Sequence, residues 1–419
     1  MEETSIVNDA RAAATPESEM GPVEARIEKW VYGGEGLARI PTPEGSRAVL
    51  VPFTLPAETV RIDAGDGIHA GLTELVTPSP DRVQPPCPLF TNCGGCHYQH
   101  APYSFQLQAK ADILREQLRR VGKIEYKGEI ETISGAPLGY RNRVQLHIEN
   151  GRLGYLRPRS HRLVALDGEC PVASPRLNQA IAQMRERLQD RQFPRFVKSF
   201  ELFTNETDVQ VNVLETDKPV AKRFFEWCES AQEMDYETSV GTFRVSPRSF
   251  FQVNRFLIEQ LVDAALGDAR GESALDLYAG VGLFALPMTE RFGNIIAVEA
   301  GASAARDLSF NATRIEDKLE NVNFEIAQSR VDDFLSRYIK SGATPDFVLA
   351  DPPRAGLGKS VTTSLTRLSP ARLAIVSCDP ATLARDLAAL SGYSIEKMIL
   401  VDLFPQTYHL ETIVHLKRA

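Results

Sequence analysis

Two residues far along the chain have the types and settings of a covalent catalyst. Cys378 closes the apolar run in "LAIVSCDPATLARDL", and Glu411 lies in the last apolar stretch, "DLFPQTYHLETIVHL". A short apolar run followed by a helical pattern reads as a buried parallel strand, and open α/β sheets hold ligands at the carboxyl ends of such strands. A thiol at that tip, just ahead of Asp379-Pro380 and a helix start, is expected to have a lowered pKa and to be nucleophilic. His409 and Glu411 stand on alternate positions of a final hairpin and therefore on one face. A thiolate and a carboxylate converging on one pocket predict covalent addition followed by proton abstraction. Cys228, in "FFEWCES", fits the ordinary role of an inert small hydrophobe.

A second cysteine chemistry lies in "CPLFTNCGGCHYQH", where Cys87, Cys93 and Cys96 have the spacing C-x5-C-x2-C. Cys170 follows 73 residues beyond Cys96 and precedes Pro171. No basic and apolar leader opens the chain, so a cytoplasmic location with reduced thiols is expected, and the clustered cysteines read as metal ligands before a disulfide scaffold.

Between these lie cofactor-type motifs. In "ALDLYAGVGLFALP" a strand ends near Asp276, and Gly280 and Gly282 allow a tight turn under a ligand. With Ala285 they satisfy G-x-G-x-x-A, a weak signal by itself. The next strand, "NIIAVEA", ends in Glu299, placed to accept hydrogen bonds from ribose hydroxyls, a device shared by nicotinamide and S-adenosylmethionine enzymes. "DFVLADPPRAGLG" puts Asp351 at a third strand end; Arg354, where an aromatic would stack on a base, argues against an exocyclic amine as methyl acceptor.

The elements that must position these residues follow from texture. Residues 1–20 read as a disordered arm, and 21–80 as a small antiparallel β-barrel with Gly-Gly, Pro and Gly-Ser turns. Residues 81–245 read as a β-rich α+β domain. It contains a helix over "SFQLQAKADILREQLRRVGKI" carrying Lys110, Arg115, Arg119 and Arg120. Residues 246–419 alternate strand and helix, the pattern of a parallel α/β sheet. The net charge of −8 excludes a protein coated in nucleic acid over its whole surface. A local basic cluster in "YRNR" and "RPRSHR" nominates Arg141, Arg143, Arg157 and Arg159 as RNA contacts. No apolar run approaches the roughly 18 residues of a membrane span.

The motifs "SFFQVN", "DLYAGVG", "VE", "DPPRAG", "SCDPATLARDL" and "FPQTYHLET" resemble, in order and spacing, those of the RNA uracil-5-methyltransferase family, over nearly the whole chain beyond residue 20. The resemblance implies a C-terminal Rossmann-like class I methyltransferase domain preceded by a TRAM (OB-like) barrel that binds RNA. It implies that Gln252, Tyr278, Glu299 and Asp351 line the S-adenosylmethionine pocket, that Cys378 is the nucleophile at carbon 6 and that Glu411 is the general base. Cys87, Cys93, Cys96 and Cys170 are similar to the family's iron–sulfur ligands. The long gap before a Cys-Pro also favours a [4Fe-4S] cluster over zinc, with a disulfide last, and gives the cluster the role of a staple. The expected partner is RNA, 23S rRNA before the tRNA T-loop, for a monomeric enzyme. Leu283 stands where some members carry Asn, and "LPAE" replaces the usual "LPGE". Two rival readings are an RNA-binding scaffold with a four-cysteine metal site and a vestigial methyltransferase fold, and a nicotinamide-dependent oxidoreductase.

Overall fold

The computed structural model describes residues 22–315 and 322–419; the arm read over 1–20 lies outside the described residues. The chain divides into two compact units between Arg82 and Val83.

In the first unit, β1 (Val23–Val31), β2 (Glu35–Thr42), β3 (Gly45–Pro52), β4 (Thr59–Asp63) and β5 (Gly71–Thr77) form one antiparallel sheet of order β3-β2-β1-β4-β5. Alternate residues such as Ile27, Ala38, Val49, Val51 and Val60 turn inward, as the period of a strand requires. The sheet edges are bridged: Leu50 N donates to Ile68 O at 2.7 Å and Ala70 N to Leu50 O at 2.9 Å. That closure makes a small barrel and leaves little free edge. Buried Glu58 accepts from Leu55 N (2.7 Å), Ser79 N (3.2 Å) and Arg82 Nε (2.6 Å). Ala57, of "LPAE", has φ +69°. A side chain in that left-handed region costs about 1–2 kcal/mol that glycine avoids.

The second unit opens with the cysteine segment and α1 (Tyr103–Gln117). It continues through β6 (Ile130–Ile133), β7 (Arg143–Glu149), β8 (Arg152–Leu156), β9 (Leu163–Ala165), α2 (Pro175–Arg187), β10 (Val197–Thr204), β11 (Val209–Thr216), α3 (Lys222–Trp227), β12 (Met234–Thr238) and β13 (Gly241–Val245). Strands β11-β10-β7-β8-β9 form an antiparallel sheet that packs Leu146, Phe200 and Leu202 into one core with Leu177 and Ile181 of α2. Ser174 caps α2 by accepting from Leu177 N at 3.2 Å, with Pro175 first in the helix.

From α4 (Ile258–Leu266) the order is β14 (Gly271–Leu277), α5 (Ala285–Met288), β15 (Phe292–Glu299), α6 (Ala302–Thr313), β16 (Asn323–Gln328), α7 (Val331–Tyr338), β17 (Phe347–Ala350), α8 (Gly358–Leu368), β18 (Arg372–Ser377), α9 (Pro380–Ala389), β19 (Tyr393–Val401) and β20 (Glu411–Arg418). The resulting sheet has the order β16-β15-β14-β17-β18-β20-β19-β6. Its first five strands are parallel and nearly continuous apolar runs, because helices cover both faces. The chain leaves β14 toward β15 and β16 and returns on the other side at β17, which creates a switch point at the carboxyl ends of β14 and β17. Antiparallel β20, inserted between β18 and β19, distinguishes the sheet from the all-parallel dinucleotide fold.

The segments before and after Val245 share structure. β6 is the edge strand of the larger sheet, parallel to β19. Phe203 stacks on Tyr236 at 5.9 Å, and Tyr236 packs on Phe251 at 4.7 Å, within the core beneath β14 and β17. Among the described residues no helix is long and apolar enough to cross a membrane.

Replacing Ala57 by Gly should relieve the left-handed strain at a smaller cost in chain entropy, so the barrel should gain up to about 1 kcal/mol. Native-state hydrogen exchange of the β1 and β4 amides measures it, and slower exchange is the expected result.

Candidate active site

The carboxyl ends of β14, β15, β17 and β18 bring most of the sequence-nominated residues together. After β14 the chain turns through Tyr278 (φ +69°), Gly280 (φ +57°) and Gly282 (φ +98°). Glu299, at the tip of β15, grips this turn: Oε2 accepts from Gly280 N at 2.9 Å and Oε1 from Gly301 N. The helix after the turn, α5, is one turn long. Gln252 is buried, in a segment pinned beside α6 by Ser249 Oγ, which lies 3.1 Å from Ser303 Oγ and donates to Asp307 Oδ2 at 2.6 Å.

Asp351 ends β17, its N donating to Leu277 O at 3.2 Å. Burial pushes its carboxyl up to about 7. Asp276, fully buried at the end of β14, is raised well above the carboxylate range by burial and by Asp351 and Glu299. Glu411 is the first residue of β20, opposite Val401, and buried. Its carboxyl is likewise pushed well up, by burial first and then by Asp351, with Arg354 opposing.

Cys378 follows β18 directly and is half-buried. The helix start beside it does not lower its pKa, contrary to the sequence expectation. Burial, then Glu411, push the thiol up to about 12, with Arg354 opposing. The physical reason is burial first; Asp379 adds a smaller push in the same direction, and its carboxylate caps α9 by accepting from Ala381 N (3.0 Å) and Thr382 N (2.8 Å). Arg354, read in the sequence only as evidence against an amine acceptor, is the cation that acts on both Cys378 and Glu411. Its carbonyl accepts from Thr382 Oγ1 at 3.2 Å, so the helix after Cys378 holds the loop that carries it. Its role could have been found in the cation that follows Asp351-Pro-Pro.

Cys87, Cys93, Cys96 and Cys170 line one cavity of about 250 Å³ with Gly94, Arg141, Tyr155 and His409. All six cysteines are free thiols. Burial and their mutual repulsion push Cys93 up to about 11 and Cys96 up to about 12. Among the described residues no three His, Cys, Asp or Glu side chains are grouped to hold one metal ion. His409 precedes β20, so it is not a strand neighbour of Glu411; it lines the thiol cavity and also feels Arg354, the cation that acts on Cys378 and Glu411.

Of the RNA-contact candidates, Arg157 and Arg159 are exposed on the β8–β9 loop, where Arg157 Nη2 donates to Asn92 Oδ1 at 3.2 Å. Arg141 and Arg143 are turned inward instead. Arg141 lines the thiol cavity, and Arg143 lies over the Phe203 ring, 4.1 Å from its centroid, donates to Ser249 O at 3.2 Å and pairs with Glu201. Both are half-buried: Arg143 opens β7 opposite Phe203 of β10, and Arg141, just before the strand, bridges to Ala173 and Asn254.

The sheet order, the glycine turn held by an acidic strand tip and the carboxyl-rich pocket at the switch point define a class I S-adenosylmethionine-dependent methyltransferase. A family model described as tRNA (Uracil-5-)-methyltransferase matches residues 226–419. An uncharacterized RNA methyltransferase of Aquifex aeolicus is 33% identical, covering 94% of this chain and 98% of that protein. A 23S rRNA (uracil(1939)-C(5))-methyltransferase of Pectobacterium atrosepticum is 32% identical, covering 91% of this chain and 90% of its own length. The crystal structure of the Pyrococcus abyssi tRNA (uracil-54, C5)-methyltransferase in complex with S-adenosyl-L-homocysteine shares the fold, with a TM-score of 0.71 at 24% identity, over 94% of this chain and 100% of that one. The chain belongs to the RNA uracil-5-methyltransferase family and is an S-adenosylmethionine-dependent enzyme.

Replacing Glu299 by Gln removes the charge that holds two backbone N–H groups of the cofactor turn. Hydrogen bonds to a charged group contribute about 1.5–3 kcal/mol, so S-adenosylhomocysteine should bind roughly 10- to 100-fold more weakly by calorimetric titration.

Proposed function

We propose that this enzyme methylates carbon 5 of a uridine in RNA, with 23S rRNA preferred and tRNA the alternative substrate, through a covalent adduct between Cys378 and carbon 6. The observation that carries the reading is the meeting of Cys378, Glu411, Asp351 and Arg354 at the carboxyl end of one sheet. An RNA-binding scaffold needs no such thiol and carboxyl pair.

Carbon 5 of uracil is too weak a nucleophile until a thiolate adds to carbon 6. Cys378 Sγ forms that bond, and the ring electrons move onto the carbon-4 oxygen as an enolate. Carbon 5 then takes a methyl group, which S-adenosylmethionine, when bound, would supply from its sulfonium, with S-adenosylhomocysteine as the leaving group. Glu411 then takes the carbon-5 proton, the carbon–carbon double bond re-forms and Cys378 leaves as thiolate. Arg354 is the cation on hand to stabilise the thiolate and the charged Glu411. Gln252, Tyr278, Glu299 and Asp351 bind the cofactor in this scheme; four acidic side chains, counting Asp276 and Glu411, favour a ligand carrying positive charge. The target base must be flipped out of any helix to reach Cys378.

The four thiols of the cavity fit a [4Fe-4S] cluster. That all four line one cavity of about 250 Å³, with no three grouped around a single ion among the described residues, supports a multi-atom centre. A single zinc would draw its sulfurs to about 2.3 Å. Bound by Cys87, Cys93, Cys96 and Cys170, the cluster would bridge the 87–96 loop to the loop before α2 and take no part in methyl transfer. We assign RNA binding to the barrel over 21–80, read as a TRAM domain, and to Arg157 and Arg159, with 81–245 as the cluster-bearing part and 246–419 as the catalytic part.

Cys378→Ala should abolish methyl transfer while leaving S-adenosylhomocysteine affinity unchanged, and Glu411→Gln should accumulate a denaturation-resistant RNA adduct. Loss of 5-methyluridine from rRNA, read by mass spectrometry of a deletion strain, is the expected result; loss from tRNA alone would redirect the substrate assignment. The active forms of Cys378 and Glu411 are deprotonated, and both groups are raised, Cys378 to about 12. Single-turnover rates should therefore rise with pH from about 6 to about 9, by up to about tenfold per unit; a rate that falls over that range contradicts the assignment. Anaerobically purified protein should show iron–sulfur absorbance with about four irons per chain, and colourless protein with one zinc would reverse the cluster reading.

A further inference from the structure

The connection from β19 to β20, residues 402–410, delivers Glu411 to the pocket, and it is shaped from outside. Four consecutive carbonyls are claimed by groups from earlier in the chain. Leu403 O accepts from Asn254 Nδ2 at 3.2 Å, Phe404 O from Lys110 Nζ at 3.0 Å and Pro405 O from Tyr140 Oη at 3.0 Å. Gln406 O accepts from His97 N at 2.8 Å and from Tyr98 N at 3.0 Å.

Three side chains of α1 strengthen this hold. Lys110, fully buried, donates to Asp402 Oδ1 at 2.6 Å, while Tyr103 Oη donates to Asp402 Oδ2 at 2.8 Å. Gln106, also fully buried, accepts from Gln406 N and donates to Gln406 Oε1, both at 3.0 Å. Gln406 is held at φ +67°, a strained conformation for a residue with a side chain. The order passes onward: Thr407 Oγ1 donates to Phe404 O at 2.9 Å and accepts from His409 N at 3.2 Å, two residues before Glu411.

A buried ion pair is poor evidence of stability, since an apolar pair of like volume often serves as well. What this pair supplies is one register for a loop with strained backbone. We propose that Lys110 and Gln106 are positioning residues for the deprotonation step, holding the 402–410 connection so that Glu411 stands where the carbon-5 proton is released. The inference rests on Glu411 as the base.

The test compares Lys110→Met/Asp402→Leu, which removes both charges and leaves neither buried alone, with Gln106→Met, which keeps the ion pair. Misplacement of a catalytic group by about 1 Å costs on the order of 100-fold in rate. Folded variants should bind S-adenosylhomocysteine and RNA as the parent does, lose about 100-fold in kcat and accumulate the covalent RNA adduct, because addition by Cys378 outlasts the impaired release. Parental kcat in the folded variants overturns the proposal, and so does a loss of rate without adduct, which would mean that the loop governs addition. If the double variant fails to fold, Gln106→Met decides by the same two readouts. Should Glu411→Gln itself give no adduct, the identity of the base falls; adduct in Glu411→Gln but in neither α1 variant defeats only the positioning role.

Discussion

A fully buried ion pair between Lys110 and Asp402, 292 residues apart in the chain, fastens the helix after the cysteine segment to the β19–β20 connection of the large sheet. Each charge has left water, and either one alone in that place would be strongly destabilising. Around the pair, Tyr103, Gln106 and the His97 and Tyr98 amides complete the hydrogen bonding of the 402–410 connection. Two sites that look independent in sequence therefore share a wall. His409 faces the four thiols, and Glu411, two residues on, faces Cys378.

The catalytic pocket concentrates acidic groups whose proton affinity is raised. Burial raises it first at Asp276, Asp351 and Glu411; Asp351 adds to the effect at Asp276 and Glu411, and burial and then Glu411 raise Cys378. Burial and these acids disfavour a thiolate at Cys378. Arg354 opposes them from the loop gripped by α9.

Much of this was legible in the residues. Continuous apolar runs ended at Asp276, Glu299, Asp351 and Cys378 because a parallel sheet covered on both faces needs them, and ligands sit at those ends. Alternation of apolar residues marked the barrel strands. Local pattern failed where a side chain's partner was distant. Lys110 lies on the helix that also bears Arg115, Arg119 and Arg120, yet it points inward, since its acceptors come from residues 402 and 404. Arg141 and Arg143 look like surface cations in "YRNR" and are consumed by the interior. The low thiol pKa expected at a helix start is outweighed by burial and by Glu411, which comes from the far end of the chain.

Residue type and spacing by themselves determined the parallel α/β sheet, the glycine turn with its acidic partner, and the four cysteines as a set, because each depends on contacts within a strand, a turn or a motif. Only the tertiary structure decided which charges face solvent, how far the pocket shifts its proton affinities, and that one loop runs from the thiol cavity to Glu411. Those are properties of burial and of pairs hundreds of residues apart, and no local pattern encodes the dielectric or the partner that a side chain meets when the chain closes on itself.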